Sequence, residues 1–153
     1  MRRVPLVAAV LGAFVLGAVV VATASRPRVI EPARIHVIER AVSDRVIDTG
    51  KPGDTSGDLL TFHNPLYDAQ NKVRVGHDQG ECIRISPHQG TWECRWIAWL
   101  EGGSITVEGP FSDGKPSVMA ITGGTGMYSN ARGTLLLKAA SATAFHFIYK
   151  VRP

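Results

Sequence analysis

The 153-residue sequence has no run of basic residues, no internal repeat and no stretch with convincing helical amphipathicity. Without a clustered basic face, a formal charge of +4 does not describe a nucleic-acid binder. Arg2 and Arg3 lie in the first 24 residues, so the remainder carries only +2. The five histidines, His36, His63, His77, His88 and His146, are scattered, and no pair has zinc-ligand spacing with two further ligands. No metal site is expected. Ser, His and Asp occur without a nucleophile elbow. Charged residues make up only 20% of the chain, yet 44% is hydrophobic, which excludes wholesale disorder. The length suits one domain. Sixteen Gly and nine Pro spread along the chain mark many turns, and with them short strands more than long helices.

The one long hydrophobic run is N-terminal. Two arginines precede an uncharged stretch from Val4 to Ser25, which ends in Ala22-Thr23-Ala24. This is the grammar of a secretory signal cut at a small-x-small site. The stretch is also long enough to span a bilayer, so an uncleaved anchor through residues 4–24 competes with it. Arg26 and Arg28 balance Arg2 and Arg3, which leaves orientation open. Either reading makes residues 1–24 a signal or anchor helix and residues 25–33 a linker. The domain at 34–153 is then secreted or held at the outer face of the cytoplasmic membrane.

Within that domain the pattern predicts about eight strands with short turns, an all-β sandwich or barrel. Arg34–Arg40 alternates and reads as the first strand, and 44–58 reads as a loop. Leu59–Asn64 follows, then Lys72–Gly76. Gly80–Ser86 and Thr91–Leu100 form a hairpin around Pro-His-Gln-Gly. Alternation puts Leu60, Phe62 and Asn64 on one face, and Trp92, Cys94, Trp96 and Ala98 on one face. Leu, Phe and Trp with one Asn at the end suit a ligand pocket, but also a barrel filled solid. Trp99, on the opposite face from Trp96, marks a surface suited to a subunit contact. Gly123-Gly-Thr-Gly126 precedes a strand pattern and no helix, which excludes a phosphate loop. A turn needing positive φ accounts for these glycines.

Cys82 and Cys94 lie on the two arms of the predicted hairpin. A turn centred on His88 sets them six residues to either side, directly opposite on one face. Export permits oxidation, and a disulfide is the favoured reading. A free thiol lining a pocket is the alternative.

Three strings have a further meaning together: Gly57-Asp-Leu-Leu-Thr-Phe-His-Asn-Pro-Leu-Tyr-Asp68, Ser104-Ile-Thr-Val-Glu-Gly-Pro-Phe111 and Ala120-Ile-Thr-Gly-Gly-Thr-Gly126. In this order and spacing they resemble the allene oxide cyclase barrel superfamily, which includes dirigent proteins. The resemblance runs from about Arg34 to the C-terminus. It implies an eight-stranded antiparallel up-and-down barrel with an internal ligand cavity, often as a homotrimer, and no cofactor. It also implies catalysis by folding a reactive substrate into one geometry and stabilising charge at an oxygen.

Carried over by position, the resemblance makes Asn64 the residue that steadies a substrate oxygen, directly or through water. Leu60, Phe62, Cys82, Trp92 and Phe111 become pocket residues. Glu39-Arg40 matches a family pair, and the family's glutamate three residues earlier falls on His36. The charge-delocalising carboxylate is therefore expected to be missing, with His36, if it points inward, as a general acid or base in its place. The family's Ser-Pro has no match, Asp44-Arg45 standing nearby, and its Tyr is Phe111. These departures argue against the plant reaction on the plant substrate, a fatty-acid epoxide. The expected function is an isomerase that cyclises a reactive, apolar, lipid- or polyketide-like substrate. The alternatives are a dirigent-like carrier of a small apolar ligand, and a structural or cell-surface protein with a filled barrel.

Overall fold

The computed structural model describes residues 33–152. The signal-or-anchor segment, and the linker as far as residue 32, lie outside them. Among the described residues no helix is long and apolar enough to cross a membrane.

Nine strands follow one another: β1 (Ala33–Arg40), β2 (Arg45–Ile47), β3 (Leu59–Asp68), β4 (Arg74–Ser86), β5 (Thr91–Leu100), β6 (Gly103–Ser112), β7 (Ser117–Gly126), β8 (Arg132–Ser141) and β9 (Ala144–Arg152). All pairings are antiparallel. From β3 to β9 each strand pairs with the next, and β1 closes the ring by pairing with both β9 and β3. The result is the expected closed eight-stranded barrel, with β2 as a short addition.

The strands differ in detail from the sequence pattern. The two short segments Lys72–Gly76 and Gly80–Ser86 are one strand, β4. The loop at 44–58 contains β2, which pairs with the Leu59–Thr61 part of β3. β3 runs on through Pro65 to Asp68. Proline is tolerated there because β1 pairs only from Leu66 onward and β2 only up to Thr61. The ladder on that side is already broken at Pro65. Gly123 and Gly124 lie within β7, and only Gly126 of that string has a positive φ, 60°. The positive-φ explanation fails for the first two. A Cβ on Gly124 would instead press on the carbonyl oxygens of Ser104 and Tyr128.

Alternation sorts the side chains as the sequence suggests. Trp92, Cys94, Trp96 and Ala98 are all buried inside, while Glu93 and Arg95 are exposed outside. Gly80 faces Trp96 across the β4–β5 pair, and a Cβ on it would meet the Trp96 backbone and Cβ. One end of the barrel is packed solid. Leu66, Ala98, Ile105, Leu135 and Tyr149 have no exposed surface there, and Val151 adds to the plug. At the other end lie the C-terminal end of β1 and the N-terminal end of β3, where Leu60, Phe62, Phe111 and Phe145 stay partly exposed. This end is the mouth.

Candidate active site

The break in the β1–β3 ladder builds the site. After Arg40 the chain leaves the ladder at Ala41–Asp44 and returns as β2. Asn64, wholly buried, fills the gap. Its Oδ1 accepts the backbone N–H groups of Val42 and Ser43, each at 3.0 Å. Two backbone donors require an oxygen at that position, which fixes the amide orientation. Nδ2 then faces two acids, donating to Glu39 Oε1 at 2.8 Å and Asp44 Oδ1 at 2.7 Å. The Asn64 backbone N–H donates to Asp78 Oδ1 at 3.3 Å.

Both amide hydrogens of Asn64 are thus spent on carboxyl groups of the protein. Asn64 holds the wall of the site and is not among the residues that line the cavity. The group it presents is Glu39. Burial pushes the Glu39 carboxyl up to about 7, against the lowering effect of the Asn64 hydrogen bond, with Asp44 adding to the rise. Asp78 is raised too, first by burial and then by Glu39. Its Oδ2 has no hydrogen-bond partner among the described residues, and neither has Trp96 Nε1 or Tyr149 Oη.

Glu39 and Asp44 stand at the edge of a cavity of about 90 Å³, otherwise lined by Leu60, Phe62, Trp96, Phe111, Leu137, Phe145, Phe147 and the cystine. That is several times the roughly 10–15 Å³ one water requires. The cavity therefore counts against a barrel filled solid.

Of the predicted pocket residues, Leu60, Phe62, Cys82 and Phe111 line the cavity. Cys82 and Cys94 are directly opposed in the β4–β5 register and joined as a disulfide, so the free-thiol reading does not describe this structure. Trp92 faces inward but does not line the cavity. Its indole N–H donates to Asp113 Oδ1 at 2.8 Å, and the Arg84 guanidinium lies 4.4 Å from its ring centre. Arg84 also donates to Asp113 Oδ2 at 2.6 Å and pairs with Asp54. That clamp holds the 48–58 loop and the β6–β7 turn over the rim, which turns Trp92 into a rim support.

His36 is displaced more completely. It lies on the outer wall, where its Nε2 is 3.0 Å from Nδ1 of His146 on β9. On a strand, positions 36 and 39 fall on opposite faces. The inward set is Ile35, Val37 and Glu39, so the carboxyl that faces the interior from β1 is that of Glu39, three residues along. The alternation of Ile35 and Val37 was the signal for this. The β1–β2 break that brings in Asp44 had none.

A family model described as allene oxide cyclase matches residues 34–150. Among solved structures, a pyocyanin demethylase is 27% identical, with a TM-score of 0.66, and the match covers 76% of this chain and all of that one. A pterocarpan synthase dirigent protein is 18% identical with a TM-score of 0.67, covering 85% of this chain and 99% of that one. A Diels-Alderase from Streptomyces koyangensis is 15% identical with a TM-score of 0.60, covering 80% and 70%. The last two likenesses are of fold.

Proposed function

The chain belongs to the allene oxide cyclase family, and from that premise we propose that it is an isomerase of the cyclase kind. The barrel holds a reactive, unsaturated, largely apolar substrate in one folded geometry. The observation that carries this reading is Glu39: a buried carboxyl, fixed by Asn64, at the edge of an aromatic cavity and poised near neutral pH. Such a group gives a proton to an oxygen as negative charge develops there, or takes one back, without leaving its place. The aromatic walls supply orientation. Asn64 is a positioning residue, since it acts through Glu39. A Diels-Alderase of the same fold supports a cyclising reaction.

The second reading is a dirigent-like carrier, favoured by the fold likeness to a dirigent protein. The two separate on Glu39→Gln. An enzyme loses rate whatever the change in affinity; a carrier has no rate to lose and changes only in affinity. Comparative metabolite profiling of the source cell, with and without the gene, supplies the substrate. A cyclised product should vanish, its precursor should accumulate, and neither Glu39→Gln nor Asn64→Ala should restore it. Matching profiles would sink the catalytic reading. Export of the domain is part of the proposal and rests on Met1–Ser25 alone.

A further inference from the structure

The charge of the cavity narrows the substrate class, on the reading that this cavity is the substrate site. Its lining holds two acids, Glu39 and Asp44, and no Lys, Arg or His. Asp78 lies behind them with one carboxyl oxygen unpartnered. The bases close in sequence are directed elsewhere. Arg40 lies over the outer face of Tyr67, 3.7 Å from its ring centre, and bonds Asn71. Arg84, at the rim, is matched by both Asp54 and Asp113. His36 points outward to His146. The remaining walls include five aromatic rings, Phe62, Trp96, Phe111, Phe145 and Phe147. Aromatic faces attract cations, and acids at one edge add to that attraction. The same acids repel a carboxylate.

We infer that the cavity takes a largely apolar compound that is cationic or readily protonated, and rejects the free carboxylate of a fatty acid. Every titratable group facing Glu39 is acidic: Asp44 from the β1–β2 link, Asp78 from β4 and Tyr149 from β9. A bound cation therefore favours ionised Glu39, and its binding releases a proton.

Three bicyclic probes of matched size test this on the full chain by titration calorimetry: N-methylquinolinium, neutral 2-naphthamide and 2-naphthoate. At about pH 8 the cation should bind roughly tenfold or more tighter than the anion, with the amide between them. At about pH 6 the gap should narrow as Glu39 takes up a proton. Glu39→Gln should narrow it at both pH values. Should that variant lose its near-UV circular dichroism, the wild-type pH series decides alone. Naphthoate binding as tightly as the cation, or a gap indifferent to pH, would overturn the charge inference and leave the aromatic cavity standing. Failure of all three probes to bind would overturn both.

Discussion

The two ends of the barrel are made by the same strands with the same alternation, yet one is solid and the other hollow. At the packed end Leu66, Ala98, Ile105, Leu135 and Tyr149 fill the interior without exposed surface. At the mouth, β1 leaves the ladder after Arg40, and the space is filled by Asn64 and the acids it binds. A polar plug cannot interdigitate as aliphatic side chains do, and its hydrogen bonds fix the distances between its parts. The cavity lies beside the interruption of the β1–β3 ladder and needs no larger barrel.

Truncation should break the symmetry between the ends most clearly. Leu135→Ala, at the packed end, should cost about 3 kcal/mol, whereas Leu60→Ala at the partly exposed mouth should cost about 1 kcal/mol or less. Urea denaturation of both variants measures this, and equal costs would mean that the mouth is packed as tightly as the floor. Replacing both cysteines by alanine should destabilise the mouth wall by about 3 kcal/mol, because the bridge closes a short loop of 12-residue separation. Thermal melts with and without reductant should show the same loss in the parent and none in the variant. Asn64→Ala leaves two backbone N–H groups and buried Glu39 without their partner, at a cost of about 2 kcal/mol. Its larger effect should be on turnover, with hydrogen exchange of Val42 and Ser43 accelerated while the packed end is unchanged.

Two further effects are in pH, and they have opposite signs on the two walls. Glu39 has a raised folded-state value, about 7 against 4.5. Its contribution to stability is fully present below 4.5 and is lost as pH rises through about 7. His36 is lowered from 6.5, first by burial and then by His146. Its contribution is present above 6.5 and is lost as pH falls through the lowered value. Glu39→Gln should lessen the first slope, which the raised Asp78 shares, and His36→Ala the second, which the lowered His77 shares, in stability measured across that range.

Much of this arrangement was legible in the sequence, for a physical reason. Period-2 alternation is local, so it placed Leu60, Phe62 and Asn64 inside, and the hairpin centred on His88 brought Cys82 opposite Cys94. What was lost depended on backbone partners far along the chain. Asn64 was recognised as central, but its partners come from 20 to 25 residues upstream, across an irregular crossing with no sequence signature. His36 was misplaced because a positional match to a family motif overrode the parity of Ile35 and Val37. Trp92 was correctly turned inward, but the Arg84 clamp that takes it to the rim joins two separate segments, the 48–58 loop and the β6–β7 turn. An inward arginine at the end of a strand is not distinguished by local pattern from an outward one.

The seam that closes the ring also fixes when the site exists. β1, the first strand made, must wait for β9, the last, with His36 and His146 separated by 110 residues of chain. Loop-closure entropy makes such a long-range pairing late and slow. Glu39 lies on that seam. An incomplete chain therefore has no enclosed carboxyl and no closed interior, and the site exists only when the final strand is in place.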